Sequence, residues 1–482
     1  MFWGTIFRLI GQFLLVLSGG MLIPFGADLL YGRPEWLDFG ISALVTATAG
    51  LFMLAICWNY KGQQLTLRGG FLLMMLTWLV IPVFAALPLW LAPEVHSYSD
   101  ALFEAVSGLS TTGATVLIGL DNMHEGLLLW RSILQWLGGI GIVLMAVVML
   151  PKLGVGGMQL FRQEMTDRNE KALPRTAQIA TWIVMVYIGL SIANVIAYRL
   201  VGMDNFDAVN HAMTTIATGG FSTHDRSFGH FEDPHIAWVA ILFMVLGSLP
   251  FILFVKGLRG APRKIIHDQQ VRFFLGLLVC LILLMISYLT LAKGWNIDQA
   301  INLVSFNVTS ILTGTGYANA AYDRWGELAI PFFFAIMVIG GCAGSTSCGI
   351  KAFRFVVLIG SARTQLHRLL SPNGVFITYY NGQPIDENIS DSVQGFILLF
   401  GVTFVITTWG LSLSGLDFLT AISGAASAIA NVGPGLGPMI GPEGNFAGFT
   451  DSAKWVMIVG MLVGRLEIYT VILILLPQFW NE

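Results

Sequence analysis

Four short stretches combine hydroxyl residues, small residues and one glycine in a shared register: SGLSTTG at 107–113, TTIATGG at 214–220, SILTGTG at 310–316 and SAIANVG at 427–433. Each has a hydroxyl side chain six residues before its last glycine, and those glycines (Gly113, Gly220, Gly316 and Gly433) are 107, 96 and 117 residues apart. The segments hold no general base, nucleophile or soft metal ligand. What they offer is oxygen, from backbone carbonyls and from threonine hydroxyls. A cation stripped of its water needs such a cage. Glycine permits the backbone angles that build it, and small neighbours let several strands approach one axis. The candidate cage residues are Ser110, Thr111, Thr112 and Gly113; Thr218, Gly219 and Gly220; Thr313, Gly314, Thr315 and Gly316; and Asn431, Val432 and Gly433. One such segment alone reads equally well as a close helix contact. Four in register define an internal repeat.

Two further features sit where chemistry is costly. The run GGCAGSTSCGIK at 340–351 interrupts an apolar stretch with Gly340, Gly341, Gly344, Ser345, Thr346 and Gly349. Each glycine costs about 1 kcal/mol inside a helix, so the run is expected to break one. It is not a phosphate loop, because Lys351 lies two residues after Gly349 and no Ser or Thr follows it. Arg465 falls near the centre of the last apolar stretch, close to Glu467. A charge at that depth needs water or a partner. Residues two apart on a helix face different ways, so Glu467 is not expected to neutralise it. Arg465 is therefore placed at a water-filled cavity beneath the cage, as a barrier to cations.

The elements that must position these residues are membrane helices. The 482-residue chain is 55% hydrophobic and only 11% charged, with 54 Gly and 14 Trp, far from the composition of a soluble domain. Stretches long enough to cross about 30 Å of hydrocarbon are predicted near 4–30, 37–59, 71–92, 126–150, 176–201, 235–256, 271–293, 328–350, 392–414 and 453–476. Each glycine segment is preceded by an apolar helix too short to cross, which reads as re-entrant. The fold class is thus all-α: ten transmembrane helices, four helix–pore-loop–helix repeats in pseudo-fourfold arrangement and two extra N-terminal helices. The divisions are 1–69, the two-helix extension; 70–152, 153–260, 261–370 (with the loop 340–350) and 371–482, the four repeats.

Four connections carry 16 of the 25 Lys and Arg: Lys61 and Arg68; Lys152, Arg162, Arg168, Lys171 and Arg175; Lys256, Arg259, Arg263, Lys264 and Arg272; Lys351, Arg354, Arg363 and Arg368. The positive-inside rule places these, and both termini, in the cytoplasm. The opposite connections are acidic, with Glu94, Asp100, Glu104, Asp121, Asp204, Asp207, Asp225, Glu232, Asp233, Asp298, Asp323, Asp417 and Asp451, and would concentrate cations. A net charge of −3 gives no case for nucleic-acid binding. The four cysteines, Cys57, Cys280, Cys342 and Cys348, suggest neither a disulfide nor a metal framework. His224 and Asp225 are read as loop surface.

With these repeats, the chain resembles the TrkH family, membrane subunits of bacterial potassium-uptake systems, grouped with the KtrB and plant HKT proteins. The likeness covers residues 70–476, and the two N-terminal helices are also a TrkH feature. It implies a simplified selectivity filter with one glycine per repeat. Gly113, rather than the Ser of sodium-preferring members, implies potassium. Gly219, Gly314 and the run Val432, Gly433, Pro434 and Gly435 complete the pattern. The resemblance further implies an obstructing loop at 340–350 and an Arg at position 465. It implies a potassium ion held by filter carbonyls with no covalently bound cofactor, and a homodimer in the bacterial inner membrane. The partner it implies is a cytosolic nucleotide-binding regulatory subunit of TrkA type, for which the basic segments 152–175 and 256–272 are docking candidates. The alternatives are a proton- or sodium-coupled potassium symporter and, in a different class, an intramembrane enzyme. The second has no HExxH motif or catalytic triad spacing to support it.

Overall fold

The computed structural model describes residues 3–60, 66–149 and 172–480. The basic residues Lys61, Lys152, Arg162, Arg168 and Lys171 lie outside them, as does most of the segment 152–175. The chain is mostly helical. Helices α1 (Trp3–Tyr31) and α2 (Trp36–Ile56) form an N-terminal pair, and α3 (Leu67–Ala85) continues through the short α4 (Leu87–Leu91). There follow α5 (Tyr98–Leu109), α6 (Glu125–Leu144, extended by a π-helical turn at Met145–Met149), α7 (Ala172–Leu200), α8 (Asn205–Ile216), α9 (Pro234–Gly247), α10 (Phe251–Leu258) and α11 (Arg263–His267). Then come α12 (Gln269–Ser287), α13 (Ile297–Leu312), α14 (Ala329–Met337), α15 (Ala352–Leu370), α16 (Glu387–Leu413), α17 (Phe418–Ala430), α18 (Asp451–Arg465) and α19 (Ile468–Leu475). The expectation of an all-helical chain needs one small correction. Tyr379–Tyr380 and Gln383–Pro384 pair as an antiparallel hairpin, closed by Asn381 and Gly382, both at positive φ, the turn that matches strand twist.

Among the described residues, seven helices are long and apolar enough to cross a membrane, or up to nine if two bent pairs each count once. The chain is therefore a multi-pass membrane protein. The most apolar stretches of Ala177–Leu200, Gln269–Ala292 and Glu387–Leu413 are only 22% buried, against 67% for Glu125–Val147. The first three present leucine, isoleucine and valine outward to lipid, while α6 is walled in by protein.

Three of the predicted crossings are not single helices. The stretch 235–256 breaks between α9 and α10 with a 90° bend, because Pro250 has no N–H to continue the ladder. The stretch 453–476 breaks between α18 and α19 with a 103° bend, at Glu467 with φ +60. Arg465, read as mid-helical, is thus the last residue of α18. The stretch 328–350 is helical only over α14. The glycine run then forms a closed loop, pinched where Ile339 pairs with Ile350.

The four shorter helices α5, α8, α13 and α17 have 12, 12, 16 and 13 residues. At 1.5 Å per residue these cover about three-fifths to four-fifths of the hydrocarbon core. Each starts on a polar cap whose side chain accepts a backbone N–H: Ser97 from Asp100, Asp204 from Phe206, Asn296 from Asp298 and Asp417 from Thr420. The face on which these four helices begin is called outer below. Their C-terminal halves are almost wholly buried, so the surroundings there are protein rather than lipid.

Candidate functional site

All four short helices end the same way. The N–H of the residue before the register glycine bonds back to the carbonyl of the hydroxyl residue six before that glycine: Thr112 to Ser107 at 2.9 Å, Gly219 to Thr214 at 2.8 Å, Thr315 to Ser310 at 2.9 Å and Val432 to Ser427 at 3.1 Å. Left-handed backbone then alternates with ordinary backbone. Positive φ occurs at Thr111 and Gly113, Thr218 and Gly220, Gly314 and Gly316, and Asn431 and Gly433. Three non-glycine residues hold this conformation two positions before the register glycine, a local strain of the kind found at functional sites.

The chain then returns outward alongside its own helix. Thr115 and the Val116 N–H bond Glu104 of α5. His224 bonds Asp207 in the first turn of α8, at 3.0 Å. Asn319 bonds Asn307 of α13 at 2.5 Å, and the Leu436 N–H bonds Ser423 of α17 at 3.0 Å. Each of the four is a hairpin of helix and strap.

The register glycines meet in a closed circuit. A side-chain carbon on Gly113 would strike the Gly219 carbonyl oxygen, one on Gly220 that of Thr315, and one on Gly316 that of Val432; one on Gly433 would sit 2.8 Å from the Thr112 oxygen. First touches second, second third, third fourth and fourth first. Every glycine is required both by its φ and by the carbonyl that occupies its side-chain space.

Ser110, Thr111, Thr112, Thr218, Gly219, Thr313, Gly314, Thr315, Asn431, Val432 and Gly433 are buried, and Gly113, Gly220 and Gly316 are partly so. Among the described residues, the carbonyls of Thr111, Thr218, Gly314 and Asn431 accept no hydrogen bond, nor do those of Gly113, Gly220 and Gly316. Buried carbonyls are almost always paired, so the four of Thr111, Thr218, Gly314 and Asn431 call for a partner, and the three of Gly113, Gly220 and Gly316 extend the same row to partly buried positions. The fourth segment departs from the pattern: the Gly433 carbonyl accepts from Ser427 Oγ at 2.6 Å.

Side chains to which the sequence assigned no such task hold the segments in place. Gln135 of α6 donates to the Gly219 carbonyl at 2.6 Å and accepts from the Phe221 N–H at 3.0 Å. Asn431 Nδ2 donates to Thr112 Oγ1 at 2.8 Å and to the Met461 carbonyl at 3.0 Å. Tyr317 meets Thr214 at 2.5 Å and Thr215 at 3.2 Å. Glu104, read as outer surface charge, is instead buried and paired with Arg131 at 2.7 Å. No periodicity marks these residues; an isolated amide or ion pair in an apolar helix was the only available signal.

The loop 340–349 lies directly inward of the segments. Gly340 and Gly341 form its neck; a side chain on Gly340 would collide with the Cys348 carbonyl, and the Gly341 N–H donates to Ser347 Oγ at 2.8 Å. Gly344 and Gly349 hold positive φ at its turns. Ser345 closes a turn onto the Cys342 carbonyl at 2.6 Å. The Thr346 hydroxyl shares its one proton between the Ile216 and Gly247 carbonyls, each 2.9 Å from Oγ1, and the Thr346 N–H also donates to Gly247 at 3.2 Å, so the residue caps α8 and α9 together. Ser347 donates to the Thr313 carbonyl at 2.5 Å. Arg465 reaches in from α18, bonding Thr111 Oγ1, Cys348 Sγ and, at 3.3 Å, the Thr346 carbonyl. The cavity beside them, lined by Ile142, Cys348, Lys351, Arg465 and Ile468 among others, measures about 40 Å³, room for only a few waters.

Glu467 does not pair with Arg465; it bonds Arg354 at 2.6 Å, with the two side chains 11% and 1% exposed. Arg354, counted among the cytoplasmic charges, is therefore buried, and it also lies 3.5 Å over the Phe396 ring. Lys351 turns back onto the Ser347 carbonyl. His224, read as loop surface, is 16% exposed and sits between Asp121, at 2.5 Å, and Asp207.

Comparison with known proteins identifies the family. A family model described as TrkH, cation transport protein, matches residues 43–481. The Trk system potassium uptake protein TrkI of Halomonas elongata is 44% identical, over 100% of this chain and 97% of its own. TrkH of Escherichia coli K12 is 35% identical over the whole of both chains. The crystal structure of the potassium transporter TrkH from Vibrio parahaemolyticus superposes with a TM-score of 0.91 at 34% identity, covering both chains completely. These proteins are transporters rather than enzymes. A chain matched along its full length in sequence and in fold belongs to the TrkH family of cation transport proteins.

Proposed function

We propose that this protein carries potassium across the bacterial inner membrane, through a pore on the axis around which the four glycine segments close. The observation that carries this reading is the set of seven matching carbonyls without protein partners. An extended backbone with alternating φ turns oxygens to one side, and a dehydrated cation is the partner such oxygens suit. Residues 110–113, 218–220, 313–316 and 431–433 are the filter in this proposal. The C-terminal ends of α5, α8, α13 and α17, with their partial negative charge, face the same ion. The relatives' names as potassium uptake proteins support the choice of ion, and Gly113 fits it.

The architecture proposed is ten crossings: a two-helix extension at 1–69 and four repeats at 70–152, 153–260, 261–370 and 371–482, arranged with pseudo-fourfold symmetry and with both termini cytoplasmic. The loop 340–349 and Arg465 are the gate, here closed. Support comes from their bonds to the inner ends of the first three segments and from the narrow cavity beside them. Opening requires that Thr346, Ser347 and Arg465 exchange these partners, which we assign to a cytosolic nucleotide-binding subunit of TrkA type acting on a homodimer, with the basic residues of 256–272 as its docking surface.

The test is flux into liposomes carrying the purified protein. Potassium and rubidium are expected to pass and sodium to be excluded. Equal sodium and potassium flux would overturn the filter assignment. Uphill potassium movement that follows an imposed proton or sodium gradient would replace the channel with a coupled symporter.

A further inference from the structure

The outer straps of the first and second repeats meet at three metal-ligating side chains that the transport reading leaves unused. Asp121 stands in the turn Leu120–Asn122 after the first segment, and His224 and His230 follow the second. One donor atom from each lies within 4.8 Å of the others. The two imidazoles stack with centroids 3.5 Å apart and 2° between their planes. Asp121 Oδ1 is 2.5 Å from His224 Nδ1 and 4.0 Å from His230 Nδ1. Ligand atoms bound to one tetrahedral zinc at about 2.0–2.1 Å stand about 3.3 Å apart; without metal, Asp121 Oδ1 instead accepts the His224 Nδ1–H at 2.5 Å and the two rings lie parallel, so binding requires loss of that proton and rotation of His230 out of the stack. His230 is 46% exposed and has room to tilt into line.

The surroundings are built as a metal site requires. His224 Nε2 donates to Asp207 Oδ2 at 3.0 Å, and Asp207 is held by the Thr223 hydroxyl at 2.6 Å. A carboxylate on the remote nitrogen fixes the tautomer that leaves Nδ1 to the metal. Asp225 Oδ1 accepts the Gly119 and Leu120 N–H groups at 3.0 and 3.1 Å, which pins the turn carrying Asp121 against the second strap.

We propose that Asp121, His224 and His230 form a site for a zinc-class divalent cation, with water in the fourth position, bridging the outer straps of the first two repeats. Two imidazoles and one carboxylate favour Zn²⁺ over Mg²⁺ or Ca²⁺, which take oxygen ligands. Binding displaces the proton from His224 Nδ1 and releases it to water, so affinity falls as pH drops through the histidine range. The site is read by binding alone, independently of whether the pore assignment holds.

The experiment is isothermal titration of the full-length, metal-free protein in detergent with Zn²⁺ at pH 7.5 and again at pH 6. One equivalent is expected to bind in the micromolar range at pH 7.5, more weakly at pH 6, and unaffected by millimolar Mg²⁺. His230→Gln and Asp121→Asn should each weaken binding by about tenfold or more. His230→Gln should keep the melting temperature of the metal-free protein while losing the rise that Zn²⁺ gives the parent. Absence of one-equivalent binding in the parent, or variants that retain its affinity, would overturn the site.

Discussion

Outward of Thr111, Thr218, Gly314 and Asn431, the four repeats do the same thing. Each ends a buried helix on the same backbone bond, takes the same alternation of φ and gives its neighbour a carbonyl where a side chain would be. Inward of that level each repeat differs. Helix α6 runs on through a π-helical turn, α9 bends at Pro250, α14 dissolves into the loop 340–349, and α18 bends at Glu467. The outer ring is over-determined, because each register glycine is fixed by its own φ and by a neighbour's carbonyl, and four such contacts close the circuit. The inner layer is held by bonds that no other repeat copies: side-chain bonds of Thr346, Ser347 and Arg465, and backbone bonds of Cys342, Gly344 and Thr346 to Ser248, Phe251 and Gly247. A symmetric ring suits a task that must not change, namely replacing an ion's water. An asymmetric layer, whose bonds are not repeated around the axis, suits one that must change. The same sequence period thus builds rigidity on one side of a plane and a movable obstruction on the other.

The sharpest way to break this contrast is at the ring. Gly220→Ala must strain a φ of +81 and push aside the Thr315 backbone. Liposome flux of potassium is expected to fall by roughly a thousandfold, or about 4 kcal/mol. Gly229→Ala in the outer strap, whose added carbon meets nothing nearer than 3.6 Å, should leave flux unchanged. Equal effects of the two would show that the ring holds no special place.

In the inner layer, Glu467→Gln leaves Arg354 buried without its carboxylate. A loss of about 3 kcal/mol in stability is expected, read as a lower melting temperature in detergent, with partial recovery when Arg354→Met is added. An unchanged melting temperature would mean that the bend at Glu467 does not depend on this pair.

Arg465→Ala removes both the charge and the bonds to Thr111 and Thr346, and is expected to raise potassium flux by about tenfold, as loss of one charged hydrogen-bond anchor would. Arg465→Lys keeps the charge and should stay near the parent. Thr346→Val frees the Ile216 carbonyl, leaves Gly247 only the bond from the residue 346 N–H, and should raise flux less than Arg465→Ala does. None of the three should alter potassium-over-sodium preference, which belongs to the ring. A loss of preference would merge the two layers into one functional unit.

The smallest effect concerns the outer straps. Burial opposes charge on His224, but Asp207 and Asp121 outweigh it and hold its pKa above the ordinary value of 6.5. Its ionic clamp is therefore fully present below about 6.5 and is lost as pH rises through the raised value. Metal-free protein is expected to lose about 1 °C of melting temperature across that rise, and His224→Gln should flatten the profile. A parent profile already flat between pH 6 and 8 would remove the clamp from the account.

How much of this was legible in the residues depends on distance along the chain. The short helices, their polar caps and the strained turns rest on contacts within about ten residues, so local spacing carried them, and recurrence of the register near every hundred residues exposed the repeat. The run at 340–349 announced its break through its glycines. What local spacing could not carry was partnership across repeats. Nothing near Glu467 names Arg354 as its counter-ion, nothing near Gln135 names Gly219, and His224 looked like exposed loop because Asp121 lies 103 positions away. The bends at Pro250 and Glu467 were hidden for a related reason: apolar composition sets only whether a stretch prefers lipid, while its path is decided by which backbone groups find partners on neighbouring helices. The amino-acid order by itself determined a membrane chain with four glycine-centred turns. Tertiary packing alone decided that those turns close on one another and that the charges beneath them are distributed as they are, because both depend on groups that meet only after the helices have assembled.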